Sequence, residues 1–144
     1  MPGIDNYSLD NYGLDGSEFE FSPGGFYLYN GTQLFRSYQT GKKKLISFLM
    51  IFPGTYRVEF ELTAWRGNEV QVTSYGQIYV DGVPCGIIRS SNSNSYTLFI
   101  EDIKVNGGEK IEIWQWQTGA NGISYAELAN PKIRCQELMI QTAV

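Results

Sequence analysis

Between Gly54 and Val105 apolar and polar residues alternate almost one for one. The run Tyr56-Arg57-Val58-Glu59-Phe60-Glu61-Leu62-Thr63-Ala64 carries the clearest period of two. Side chains on a strand alternate between faces, so Tyr56, Val58, Phe60, Leu62 and Ala64 are expected to share a buried face while Arg57, Glu59, Glu61 and Thr63 meet water. A second run, Gln77-Ile78-Tyr79-Val80, stops at Asp81-Gly82 before Val83 resumes. Asp-Gly supplies the positive φ angles of a tight turn, which predicts a hairpin. Asn30-Gly31 carries the same signal between Phe26–Tyr29 and Gln33–Tyr38, and Leu45–Phe52 reads as a near-continuous apolar strand covered on both faces.

Further strands are expected over Thr55–Trp65, Val70–Val80, Val83–Ser90, Tyr96–Val105, Lys110–Gln117, Ile123–Leu128 and Lys132–Ile140, separated by Gly- and Asn-rich turns. No amphipathic helix is evident. Eight to ten short strands at regular spacing predict an all-β antiparallel sandwich, jelly-roll-like, over residues 22–144. At 144 residues, one such domain is the expectation. Aromatic residues at 15%, with Tyr, Phe, Val, Ile and Thr filling the patterned segments, strengthen the preference for sheet.

Residues 1–21 differ from the body. They hold Asp5, Asp10, Asp15, Glu18 and Glu20 with no Lys or Arg, and a tandem repeat, Asn-Tyr-Ser-Leu-Asp then Asn-Tyr-Gly-Leu-Asp, over residues 6–15. This acidic arm is expected to be extended. Tyr7, Leu9, Tyr12, Leu14, Phe19 and Phe21 give it more apolar surface than a solvating tail needs, so they are expected to dock on the body or on a neighbour. Symmetric self-association follows as an expectation, with a trimer favoured.

Composition closes off most chemistry. The chain has no His, which removes Ser-His-Asp and Cys-His sites, His-ligated zinc and the usual proton shuttle near neutral pH. Cys85 and Cys135 are too few for a thiolate zinc site and can pair only in an oxidising compartment; they are read as two buried free thiols. No metal or other cofactor is expected. Glu101-Asp102 and Glu109 with Glu112 offer calcium-type oxygens, but no loop has the spacing of a dedicated site. Glu59 and Glu61 lie about 7 Å apart along one strand face, as glycosidase carboxylates can, yet Arg57 shares that face and a solvated surface is the expected setting. A net charge of −4 argues against phosphate-driven nucleic-acid binding. Lys42, Lys43 and Lys44 are read as a solvated hairpin tip. The first ten residues lack a secretory pattern and no apolar run is long enough to cross a bilayer, so neither export by that route nor a membrane partner is expected.

One aromatic pair stands apart. Trp114 and Trp116 are two residues apart and should share a strand face, opposite Ile111 and Ile113. Burial beneath the arm or a neighbouring subunit is the leading expectation. The alternative is an exposed platform that stacks on sugar rings, with Gln115 and Gln117 supplying amide hydrogen bonds.

Five segments occur in order: Gly54-Thr55-Tyr56-Arg57-Val58-Glu59-Phe60-Glu61-Leu62; Ile78-Tyr79-Val80-Asp81-Gly82 with Gly86; Glu101-Asp102-Ile103; Gly108-Glu109-Lys110-Ile111; and Asn130-Pro131-Lys132-Ile133. On these, the body from about Gly54 to Arg134 resembles the small β-sandwich domains of structural proteins of tailed bacteriophages and prophages. The resemblance implies a non-enzymatic virion component, a head-decoration or tail-associated protein made in the host cytoplasm, with other virion proteins as partners. A glycan-binding host-recognition module is the alternative.

Overall fold

The computed structural model describes residues 20–38, 40–65, 72–119 and 124–136. Two antiparallel sheets face one another, with no helix among the described residues. The first holds β4 (Gly54–Trp65) between β8 (Thr97–Val105) and β10 (Tyr125–Cys135), and β1 (Phe26–Asn30) and β2 (Leu34–Ser37) share the far edge of β10. In the second, β9 (Glu109–Thr118) lies between β3 (Lys43–Met50) and β5 (Thr73–Val80), whose far edge carries the short β6 (Val83–Pro84) and β7 (Arg89–Ser91). The long strands β3, β4, β5, β8, β9 and β10 alternate between sheets, which makes this a jelly-roll-like sandwich as expected.

The period of two in β4 translates directly into packing. Tyr56, Val58, Phe60, Leu62 and Ala64 are buried, and all but Ala64 join Ile78, Ile103, Ile111, Ile113, Leu128 and Ile133 in one core. The sheets meet closely at Gly76, whose missing side chain leaves room for the Phe60 ring and Leu128. Asp81 (φ 50°) and Gly82 (φ 78°) form the expected tight turn, with Val80 opposite Val83. Beyond Val83–Pro84 the segment read as one strand breaks into β6, a turn and β7.

Three other readings are corrected. Asn30-Gly31 does not fold β1 onto β2, because both pair with β10 instead. Between their docking sites β10 bulges: its register against β4 jumps between Ala129 and Lys132, Asn130 adopts φ 54°, and Pro131 has no N–H to donate. The Gly31 N–H bonds the Pro131 carbonyl and the Asn130 N–H bonds the Gln33 carbonyl, so the link spans the bulge. For the same reason the two C-terminal strands read from the sequence are one bulged strand. Strand β3 is an edge strand, not one covered on both faces, and Leu49 and Ile51 are more than half exposed.

Of the arm residues, Tyr7, Leu9, Tyr12, Leu14 and Phe19 lie outside the described residues. Phe21 docks on the body. It bridges Gly54 in parallel, bonds Pro53 and Thr55 through its backbone, and packs its ring 5.9 Å from Phe52 and 5.8 Å from Tyr56.

Candidate functional site

Regular pairing of β9 with β5 sets Trp116 opposite Tyr75, Trp114 opposite Gln77 and Glu112 opposite Tyr79. Ile111, Ile113, Gln115 and Gln117 face inward and are buried, so the two tryptophans stand on the outer face, partly buried. Each is clamped by a tyrosine across the ladder. Trp116 stacks on Tyr75 at 5.4 Å and 9°, and Trp114 on Tyr79 at 4.6 Å and 21°. Such parallel pairs are worth about 0.5–1.5 kcal/mol beyond their burial and hold the rings in place. On the other side of β9, Lys44 lies opposite Trp114, and the Lys42 ammonium sits 4.5 Å from the centre of the Trp116 ring.

Glu112 ties this face together. One carboxylate oxygen accepts the Trp114 indole N–H at 3.0 Å and the Gly82 N–H at 3.2 Å, while the other lies 3.7 Å from the Lys44 ammonium. The Gln77 amide donates to the Gly86 carbonyl at 2.9 Å. Glu112, Gln77 and Tyr79 are themselves buried, so the face presents Trp114, Trp116 and Tyr75 edged by the Lys42 and Lys44 ammonium groups, with the carboxylate and the amide holding the row from beneath. Aromatic rings attract the C–H faces of sugars, and the polar edge can exchange hydrogen bonds with hydroxyls.

A second aromatic group lies at the same end of the sandwich on the outer face of the other sheet. Trp65, 42% exposed, stacks on Tyr125 at 5.3 Å, Tyr38 meets Tyr125 edge-on, and the Arg36 guanidinium lies 4.0 Å above the Tyr125 ring. Arg36 also pairs with the buried Glu127, which accepts the Tyr96 hydroxyl proton at 2.7 Å. Burial and that carboxylate push the Tyr96 phenol up to about 12. Between the two aromatic groups, at the edges of β2 and β3, opens a cleft of about 740 Å³ lined by Arg36, Tyr38, Lys42, Lys43, Lys44 and Gln115 among others.

The structure thus brings Trp114 and Trp116 together on an outer face, as their spacing predicts, but not under the docked Phe21. Gln115 and Gln117 cannot serve a sugar on that face; they point inward, and Gln115 donates to the Phe35 carbonyl. Lys42–Lys44 are not a hairpin tip, since β2 and β3 belong to different sheets; they lead into β3 beside the aromatic row. Tyr75, Tyr79, Gln77 and Glu112 went unrecognised as platform residues. The matching period of two in both strands was the available signal, but the register joining them was not.

The carboxylates weighed for catalysis or calcium are individually engaged. Glu59 is buried at 6% exposure beside Arg134 rather than solvated, and Glu61 accepts from the Asn130 amide. Asp102 forms two hydrogen bonds with Arg57, Glu101 faces the opposite way and accepts the Ile87 N–H, and Glu109 accepts the Asn106 N–H. Among the described residues no three His, Cys, Asp or Glu groups converge as metal ligands. Both cysteines are free: Cys135 is buried, but Cys85 is exposed, contrary to the expectation that both lie inside. Desolvation raises the pKa of each thiol, which works against thiolate reactivity.

No family model matches the chain, and no curated protein does. Among solved structures, the C-terminal domain of EclA, described as a sugar-binding protein, aligns over 93% of this chain and 99% of its own at TM-score 0.52 and 14% identity. A CBM35 module from Paenibacillus barcinonensis aligns over 82% of this chain and 87% of its own at TM-score 0.46 and 18% identity, too loosely to carry an argument. At such identities the likeness is one of fold. It places the chain among small β-sandwiches and lends nothing specific to the phage resemblance.

Proposed function

We propose that the protein is a non-enzymatic carbohydrate-binding module that reads its ligand on the outer face of β9 and β5. The observation that carries this reading is the pair of clamped stacks, Trp114 on Tyr79 and Trp116 on Tyr75, held from beneath by the buried Glu112 and edged by Lys42 and Lys44. Two partly buried tryptophans held in place by cross-strand tyrosines form a preorganised apolar strip, which lowers the ordering cost of binding. The fold shared with the sugar-binding EclA domain supports it. The absence of His, and carboxylates already engaged with neighbours, support a non-catalytic role.

If the chain rides on a phage particle, as the sequence resemblance implies, this face suits host-surface recognition better than passive docking. Self-association, into a trimer by expectation, would then raise avidity by presenting several platforms at once.

The test is a glycan array followed by titration of any hits, with the full chain, Trp114→Ala and Trp116→Ala. Saturable binding weakened about tenfold or more by either change, with the fold intact by circular dichroism, is the expected result. An array without ligands, or hits whose affinity neither tryptophan affects, overturns the reading.

A further inference from the structure

The cleft between β2 and β3 has a one-sided charge. Among the described residues its lining holds Arg36, Lys42, Lys43 and Lys44 and no Asp or Glu, although the whole chain carries a net charge of −4. Two of these cations are offset by carboxylates on the outer faces, Arg36 by Glu127 at 2.5 Å and Lys44 by Glu112 at 3.7 Å. Lys42 and Lys43 meet no carboxylate among the described residues. Their positions differ in a useful way. Lys43 pairs in register with the buried Gln115 and so takes the cleft-facing side of β3, whereas Lys42 lines the cleft and also lies over Trp116. The aromatic row and the cleft therefore share a residue and form one continuous surface.

Lysines often protect the open edge of a sheet, and β3 is such an edge. Edge protection does not account for Arg36 on the rim of the cleft from the opposite sheet, nor for a lining that holds no acidic group among the described residues. Like charges gathered on concave walls focus a positive potential and favour an anion there.

We infer that the β2–β3 cleft is an anion subsite continuous with the tryptophan row, and that the glycan is acidic, bearing carboxylate or sulfate groups. This rests on the carbohydrate-binding reading and deepens it. The neutral part of the chain lies along Trp114 and Trp116, and an acidic substituent reaches Lys43, with Lys42 leaving the Trp116 ring to meet it.

Titration calorimetry with the full chain uses three probes: an oligogalacturonate carrying only carboxylates, a heparin-derived hexasaccharide carrying sulfates as well, and a neutral cello-oligosaccharide. The readout is the ratio of acidic to neutral affinity in the native chain, in Lys42→Gln/Lys43→Gln and in Trp114→Ala/Trp116→Ala. At low salt the native chain is expected to prefer at least one acidic probe by about tenfold or more, and raising the salt to about 0.5 M should remove most of that preference. The lysine variant should bring the ratio to within about threefold, and the tryptophan variant should weaken every probe that binds. Preference for the oligogalacturonate assigns the cleft to carboxylate, and preference for the hexasaccharide alone assigns it to sulfate.

Equal or tighter binding of the neutral probe by the native chain overturns the anion subsite and leaves the carbohydrate reading standing. Acidic binding that survives loss of both tryptophans but not of the lysines overturns the platform and leaves the cleft. No saturable binding of any probe, or an acidic preference that the lysine changes do not alter, overturns the inference as well.

Discussion

Gly76→Ala tests how tightly the core fixes the binding face. An alanine Cβ at this position would lie 2.6 Å from Cε1 and 3.0 Å from Cζ of Phe60, and 3.3 Å from Cδ1 of Leu128. Carbon atoms in comfortable contact sit about 3.5–4.0 Å apart, so the nearest approach is short by roughly 1 Å. Phe60 is 1% exposed and its ring has no way out, so β5 itself must shift. Replacing a strand glycine lowers unfolded-state entropy and gains about 0.4–1 kcal/mol, while overpacking a filled core costs about 1–3 kcal/mol. The clash wins, for a net loss of about 1–2 kcal/mol. Phe60→Leu, which withdraws the offending ring edge, costs stability alone but should partly rescue Gly76→Ala, with a favourable coupling of about 1 kcal/mol in a double-mutant cycle. Urea unfolding with an unchanged m-value measures all four proteins. Tyr75 adjoins Gly76 and clamps Trp116, so near-ultraviolet circular dichroism and glycan affinity should change in the single variant and recover in the double. A Gly76→Ala protein as stable as the native chain, or strictly additive energies, would refute this account of the sheet contact.

Three further outcomes follow from the core, the turn and a largely buried ion pair. Tyr56 is 2% exposed, donates its hydroxyl proton to the Phe52 carbonyl at 2.8 Å, and is pushed by desolvation from 10 up to about 12. Because the native state keeps this proton after the unfolded chain has released it, the contribution is whole below pH 10 and disappears as pH rises toward 12. The loss should approach about 2–3 kcal/mol, and Tyr56→Phe should flatten the slope of unfolding free energy over that window; equal slopes would exclude Tyr56 as the source. Replacing Asp81-Gly82, at φ 50° and 78°, by Val-Val should cost about 2–4 kcal/mol because β-branched residues resist both angles. Glu59→Gln, which breaks a largely buried pair with Arg134, should cost about 1–3 kcal/mol, and thermal melts showing Glu59→Gln to be the more damaging would reverse the order.

The sequence made legible what depends on neighbours along the chain. The buried stripe of β4, the Asp81-Gly82 turn and the shared face of Trp114 and Trp116 all follow from alternation or from local φ demands. What depends on pairing between distant segments was hidden. Tyr75 and Tyr79 become partners of the tryptophans only through the β5–β9 register, and Lys42–Lys44 join the site only because β3 flanks β9. Glu59 looked solvated because its alternation is right, but Arg134, which covers it, lies on a strand far along the chain. Asn30-Gly31 misled because its flanking strands both take the edge of β10, a choice no local turn signal encodes. The Asn130-Pro131 bulge reads as a strand break for the same reason: a proline ends a ladder locally, while the residues on either side continue it.

The shared edge of β10 also orders events in time. Tyr29 and Phe35 pack against the core from β1 and β2, yet among the described residues those strands have no ladder partner except β10, near the other end of the described chain. At ordinary rates of protein synthesis, residues 26–37 wait on the order of ten seconds after emergence before residues 125–135 exist to receive them. Closing so long a loop before any contact is gained also slows refolding of the complete chain, toward the millisecond-to-second range of sandwiches. Circular permutation, with new termini in the Asp81-Gly82 turn and the old ones joined, would put β1 and β2 soon after β10 and let the sheet assemble as it is made.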